Sequence, residues 1–179
     1  MNEQVEVMTI GGGCFWCTEA IFQEVKGVER VISGYAGGHV ENPTYREVCG
    51  KKTGHAEVIQ IHFDASIVSF EQLLEIFWAT HDPTTMDQQG NDKGPQYRSV
   101  IYYHNENQKE QALRSKDEVG QPLWTDPIVT VIAPFTNFYA AESEHQNFYK
   151  ANGSFHGYCT YVITPKVMKA RQKFAHLWV

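Results

Sequence analysis

Apolar positions along this chain switch repeatedly between a period of two and a period near 3.6, and the switches mark out strands and helices. Val5 to Ile10 reads as a strand that runs into three glycines, Gly11-Gly12-Gly13. Phe15 to Glu24 fits an amphipathic helix, with Phe15, Ile21, Phe22 and the following Val25 as its apolar positions; Lys26-Gly27 stops it. Val28 to Tyr35 returns to a strand, and a loop over 36–45 is marked by Gly37-Gly38 and Asn42-Pro43. From His55 to Phe63, Ala56, Val58 and Gln60 alternate with Glu57, Ile59 and Ile61, which predicts another strand. Phe70 to Ala79 carries a strong helical pattern, with Ser69 placed to cap it and Glu71 in its first turn.

A polar stretch from Asp82 to Gln96 contains Pro83, Gly90, Gly94 and Pro95. Loops of this length inside compact domains tend to be functional or mobile. Beyond it the pattern predicts strands over Ser99–Tyr103 and Ile128–Ile132. It predicts helices over Asn105–Val119, Ala140–Tyr149 and Pro165–Leu177, the last opened by a proline. Strands and helices interleaved with long loops predict an α+β sandwich, and nothing in the composition divides residues 1–179 into more than one domain.

Composition narrows the function classes. With 42% hydrophobic and 20% charged residues the chain has the material of an ordinary globular core. A net charge of −6 supplies no basic patch for nucleic acid or an anionic membrane. No apolar run approaches the roughly 20 residues of a membrane span, and the acidic, polar start Met1–Val7 is not a secretory signal. Four cysteines in such a chain point to reduced thiols in the cytoplasm rather than structural disulfides.

The candidate chemistry lies where the first strand meets the first helix, in Gly11-Gly12-Gly13-Cys14-Phe15-Trp16-Cys17-Thr18-Glu19. The glycines let the backbone turn sharply and bring unpaired N–H groups to the Cys14 sulfur. Those donors and the positive helix end favour thiolate over thiol, and the thiolate is the attacking form. Phe15 and Trp16 offer an apolar surface for a substrate carbon group. Such a nucleophile needs an acid, and Glu57 is the candidate. It shares a strand face with His55, and desolvation of an inward glutamate raises its pKa. Taken singly, Glu57 reads first as a surface strand residue, and Tyr45, Tyr97 and Asp92, in or beside the two long loops, as solvated or turn-forming residues.

Cys14-x-x-Cys17 admits redox chemistry or half of a zinc site. Neither Cys49 nor Cys159 has a finger-like partner and the eight histidines are scattered, so no metal is expected. Cys17 shares a helix face with Cys14 and is either placed for thiol exchange if the first turn relaxes or a small buried residue facing the core. Cys159, in the strand-like or irregular stretch Gly157–Ile163, is a resolving thiol or a buried apolar filler. Cys49 reads as structural, and Glu142-Ser143-Glu144-His145-Gln146 as helix caps and surface hydrogen bonds. A thioredoxin-like CxxC oxidoreductase and a zinc module held by the four cysteines are the alternatives.

Gly13-Cys14-Phe15-Trp16-Cys17-Thr18-Glu19 resembles the signature of the peptide methionine sulfoxide reductases of the A class. The resemblance continues in the family's order through Asn42-Pro43-Thr44-Tyr45, Thr53-Gly54-His55-Ala56-Glu57, His81-Asp82-Pro83 and Gln89-Gly90-Asn91-Asp92. It extends to Gln96-Tyr97-Arg98-Ser99, Ala141-Glu142 with His145-Gln146, and Tyr158-Cys159. It implies a ferredoxin-like α/β sandwich with long irregular loops. It implies that Cys14 is the nucleophile, that Phe15 and Trp16 form the pocket for the substrate's S-methyl group, and that Glu57, Tyr45, Tyr97 and Asp92 surround the sulfoxide oxygen.

The implied activity is reduction of the S epimer of methionine sulfoxide, free or in proteins, leaving Cys14 as a sulfenic acid. A second thiol then closes a disulfide, which thioredoxin or a similar dithiol reduces. The family needs no cofactor, and a monomer is expected. One departure stands out. Many members have glycine at the position of Cys17 and carry resolving cysteines in an extended C-terminal tail, whereas no cysteine follows Cys159 here. The reset therefore falls to Cys17, to Cys159 or to an external thiol, with Cys17 preferred for its short reach.

Overall fold

The computed structural model describes residues 4–153 and 156–179, so Met1–Glu3 of the polar N-terminal stretch lie outside the described residues. In chain order the first elements are β1 (Val5–Gly11), α1 (Phe15–Phe22), β2 (Val28–Ala36), α2 (Tyr45–Cys49), β3 (Ala56–Asp64) and α3 (Phe70–Thr80). The long loop holds a small hairpin, β4 (Gln88–Gln89) and β5 (Asp92–Lys93), ahead of β6 (Val100–Tyr103) and α4 (Glu106–Ser115). β7 (Val131–Pro134), β8 (Tyr139–Ala140), α5 (Phe148–Asn152) and α6 (Thr164–Lys173) complete the chain.

The β1-α1-β2-β3-α3-β6 run forms a sheet in the order β6-β1-β3-β2, every neighbour antiparallel. That is the ferredoxin-like α+β topology the resemblance implied. β7 extends the sheet parallel to β6, and β8 pairs antiparallel with the other edge, β2.

Alternation along the strands sorts side chains between two faces. Met8 and Ile10 of β1 and Ile59, Ile61 and Phe63 of β3 pack in one cluster with Phe22 of α1 and Leu73, Phe77 and Trp78 of α3. Ala56, Val58, Val100 and Tyr102 form a smaller cluster with Phe135 and Phe138. Glu57 has the parity of Ile59 and Ile61, so the pleat carries its carboxyl to the helix side. This is how a charged residue near the start of β3 comes to lie under α1.

The predicted strands over 5–10, 28–35, 55–63 and 99–103 and the helix over 70–79 all form, shifted by a residue or two at their ends. α3 begins as expected: Ser69 Oγ accepts the Gln72 N–H at 3.0 Å and Gln72 Oε1 accepts the Ser69 N–H at 3.0 Å. Four expectations need correction. The strand expected over 128–132 forms at Val131–Pro134, and the helix over 105–119 gives way to a π-helical turn from Lys116. Residues 140–149 are not one helix but the strand β8, a 3₁₀ turn at Ser143–His145, and the start of α5. Long-range bonds override the local preference there: Gln146 joins both the N–H and the C=O of Ser33, and Glu142 accepts the Tyr35 hydroxyl at 3.0 Å. Asn147, left-handed at φ 54°, ends the extended path. Finally, Cys159 lies in a π-helical turn, Cys159–Ile163, that runs into α6, not in a strand. Among the described residues no helix is long and apolar enough to cross a membrane.

The capping box and the buried face of α3 contribute unequally to stability. Ser69→Ala is expected to cost about 1 kcal/mol, and Leu73→Ala, fully buried on the same helix, about 2–5 kcal/mol. Urea denaturation midpoints of the two variants check the order.

Candidate active site

Cys14 is the N-cap of α1, with extended backbone (φ −63°, ψ 128°). The glycine run matters for clearance as much as for turning. A Cβ on Gly11 would lie 2.7 Å from the Glu57 carbonyl oxygen, and one on Gly13, whose φ is +94°, 2.6 Å from Gln89 Cγ. β3 and the long loop can therefore close on Cys14 from two sides. The Phe15 N–H, first donor of the helix, gives its hydrogen to Glu57 Oε1 at 3.1 Å. Glu57 Oε2 is buried without a partner.

These contacts revise the electrostatic expectation for the nucleophile. Burial first, then the Glu57 carboxylate and Cys17, push the Cys14 thiol well above the ordinary cysteine range. The Trp16 backbone N–H opposes this, but the Phe15 N–H is committed to Glu57. Burial likewise pushes Glu57 up to about 8, against the Phe15 bond that favours its ionised form. The resting site at neutral pH thus holds a neutral thiol and a neutral carboxyl rather than a preformed thiolate. With Oε1 accepting, the acid's proton sits on the free Oε2.

A wall of rings stands beside the thiol. Phe15 is fully buried, with Tyr35 at 5.6 Å and Tyr45 at 6.2 Å between ring centroids. Trp16 is half-buried; its indole stacks on Phe148 at 3.8 Å and 6°, and its Nε1–H donates to His145 Nδ1 at 3.2 Å. Glu19, fully buried, holds this wall: its carboxylate accepts Ser33 Oγ–H at 3.2 Å and the backbone N–H groups of Asn147 at 3.0 Å and Phe148 at 3.1 Å. His145 and Phe148 escape sequence reasoning because they approach Trp16 from far along the chain. The 142–146 segment makes interior contacts rather than the surface bonds expected of it.

Tyr45, Tyr97, Asp92 and Glu57 do gather around Cys14. The charges of Glu57, Cys14, Asp92 and Cys49 all act on Tyr97, whose hydroxyl burial and these neighbours hold well above the phenol range. Burial first, then the Glu57 carboxylate, holds the Tyr45 hydroxyl above the phenol range as well. Both tyrosines therefore stay protonated and able to donate. Tyr158, part of the family resemblance but given no role from the sequence, donates to Asp92 Oδ2 at 2.9 Å and lies 3.6 Å from the Cys17 sulfur.

Other candidates lie elsewhere. His55 sits just before β3 and fastens a loop, its ring nitrogens bonded to the Gly38 N–H and the Val40 carbonyl. Cys159 is fully buried, and burial alone raises its thiol's pKa. All four cysteines are free thiols. Among the described residues they do not converge as a zinc quartet would; the convergent metal-capable group is Glu142, Glu144 and His145. Glu142 already accepts Tyr35 O–H and Tyr45 N–H, and His145 Nδ1 accepts from Trp16.

A cysteine at a helix start, a protonated acid against it and an aromatic wall define a thiol-dependent oxidoreductase on a ferredoxin-like sheet. The family model for peptide methionine sulfoxide reductase matches residues 6–177. The chain is 52% identical over 169 residues to peptide methionine sulfoxide reductase MsrA 1 of Rhodopirellula baltica, spanning 94% of this chain and 87% of that one. Mxr1 of Saccharomyces cerevisiae in reduced form superposes with a TM-score of 0.83 at 33% identity, over 89% of this chain and 92% of that one. Mxr1 in complex with Trx2 superposes with a TM-score of 0.59 at 26% identity, over 83% and 87%. The chain belongs to the peptide methionine sulfoxide reductase family, MsrA type, and it reduces methionine sulfoxide.

Glu57 makes stability depend on pH. The folded chain keeps this proton up to about pH 8, whereas an unfolded glutamate releases it near about pH 4.3. Its contribution is full below the lower value and is lost as pH rises through the upper one. Glu57→Gln stays neutral throughout, so its melting temperature relative to wild type should climb between about pH 5 and about pH 9. A constant difference across that range in calorimetry would mean that Glu57 is already ionised.

Proposed function

We propose that the enzyme reduces the S epimer of methionine sulfoxide, free and in proteins, with Cys14 as nucleophile and Glu57 as acid. The observation that carries this reading is the hydrogen bond from Phe15 N–H to Glu57, which sets the acid against the nucleophile's own helix turn with one oxygen free. A sulfoxide oxygen leaves poorly unless it is protonated. Glu57 supplies that proton from Oε2, and the Tyr45 and Tyr97 hydroxyls, with Asp92 beside them, hold the oxygen toward it. The S-methyl group rests against Phe15 and Trp16. Once the Cys14 proton has passed into this network, its sulfur attacks the substrate sulfur. An S–S bond forms as the protonated oxygen leaves as water; a water molecule then attacks the Cys14 sulfur, the S–S bond breaks with its electron pair on the methionine sulfur, and Cys14 is left as a sulfenic acid.

Cys17 is the resolving thiol in this reading. It acts electrostatically on Cys14, whereas the shift at Cys159 comes from burial in the core. Closing a Cys14–Cys17 disulfide requires opening a turn held by the Cys17 and Thr18 N–H bonds to the Cys14 carbonyl, at 3.0 and 3.5 Å. A thioredoxin-type dithiol protein then restores both thiols, which the complex of yeast Mxr1 with Trx2 supports. In this reading the enzyme is a cytoplasmic monomer with residues 1–179 as one catalytic domain, and its free thiols support a reducing compartment.

A single turnover without reductant tests the scheme. Pre-reduced enzyme given excess S-epimer sulfoxide should yield about one methionine per chain and lose about two thiols. Cys14→Ser should yield none, and Glu57→Gln should slow methionine formation about 100-fold or more. Full activity in Cys14→Ser would overturn the reading; loss of a single thiol would assign recycling to an external thiol instead of Cys17.

A further inference from the structure

Tyr158 stands between the two halves of the site. Its hydroxyl donates to Asp92 Oδ2 at 2.9 Å and lies 3.6 Å from the Cys17 sulfur. A hydroxyl has one hydrogen to give, and a carboxylate only accepts. With that hydrogen committed to Asp92, the bond to Cys17 runs the other way, from thiol to hydroxyl oxygen. The three groups share one donor direction: Cys17 S–H, Tyr158 O–H, Asp92 carboxylate. The Tyr158 ring is set edge-on to Trp16 at 5.8 Å and 75°, so the aromatic wall fixes where its hydroxyl stands.

We propose that Tyr158 is a catalytic residue of the recycling step: it takes the proton of Cys17 and passes its own to Asp92, so that Cys17 attacks the Cys14 sulfenic acid as a thiolate. The proposal rests on Cys17 being the resolving thiol. An electron pair on the Cys17 sulfur forms the S–S bond while the S–O bond of Cys14 breaks and its pair leaves on oxygen. Cys17 is oxidised, the Cys14 sulfur is reduced, and no outside oxidant or reductant is consumed. The leaving hydroxide takes up the proton from Asp92 and departs as water.

Two surroundings favour this direction. Burial holds the Cys17 thiol above its ordinary range; against it act the Lys166 ammonium and, once the proton has moved, the Tyr158 O–H that then donates to the Cys17 sulfur. The Tyr158 hydroxyl itself is kept far above the phenol range by burial and by the two thiols. It therefore hands the proton on rather than resting as a phenolate. Asp92, placed beside the sulfoxide oxygen in the first half-reaction, becomes the proton acceptor of the second.

Tyr158→Phe keeps the ring and removes the hydroxyl. Rapid-quench single turnovers would follow methionine, and mass spectrometry after dimedone labelling would follow the Cys14 sulfenic acid and the disulfide. The rate of disulfide formation relative to methionine formation should fall at least about tenfold against wild type, with labelled Cys14 accumulating. A merely structural role, acting through the placement of Asp92, would slow methionine formation and leave that ratio unchanged, which would overturn the proposal. Stoichiometric hydrogen peroxide offers a second entry, since it makes the sulfenic acid without substrate chemistry; disulfide closure at the wild-type rate there would also overturn it. Cys17→Ser run alongside should keep its sulfenic acid. A Cys14–Cys159 disulfide in that variant would refute Cys17 as resolver, a failure distinct from that of the relay.

Discussion

A carboxyl from the middle of a sheet reaches into the first turn of a helix, and the rest of this molecule is arranged around that contact. Glu57 is held by the backbone N–H of Phe15, next in sequence to the nucleophile. A charged acceptor of this kind is worth about 1.5–3 kcal/mol, and its neutral form about half that. The geometric return is larger than the energetic one. Because the bond joins β3 to α1, the acid and Cys14 cannot drift apart without the sheet and helix separating. The pleat of β3 chooses the face, and burial there sets the protonation state.

That protonation state gives the site a definite character. Burial away from water makes ionisation of both thiol and carboxyl harder, and the carboxyl adds to the effect at the thiol. The site waits neutral, as a store of protons, and nearby tyrosines held far above their usual range are donors as well. Such a resting state suits a substrate whose oxygen must be protonated before it can leave. It also limits wasteful oxidation of Cys14, because a buried neutral thiol is a poor nucleophile toward stray oxidants.

The sequence made the strands, the glycine turn and the side of β3 that carries Glu57 legible, since each is written in residues a few positions apart. The helix expected over 140–149 failed because its polar residues find partners on β2 and at Tyr45, contacts with no local signature. A preformed thiolate at Cys14 failed for a related reason. The helix start is visible in the chain, whereas the burial that outweighs it, and the carboxyl that claims the first N–H, arrive from another strand. The contacts of His145, Phe148 and Tyr158 were hidden in the same way, their rings being brought to Trp16 from the far end of the chain. The resemblance to a known family named Tyr45, Tyr97 and Asp92, which no spacing rule singles out.

Gly11 and Gly13 bear on how this chain can vary over time. Each is tied to a neighbour in a separate segment, the Glu57 backbone for one and the Gln89 side chain for the other. Adding even a methyl group at Gly11 would force β3, with its acid, away from the nucleophile, and no single compensating replacement moves a backbone carbonyl. At Gly13 the Gln89 Cβ, at 2.7 Å, would clash as well as its Cγ, so of all replacements at 89 only glycine would make room, and the positive φ would still exact its strain. The two glycines therefore differ in the escape routes open to them: one is locked by main chain, the other by conformation. Drift in this enzyme should run through the ring wall and the outer loops long before it reaches the turn that presents Cys14.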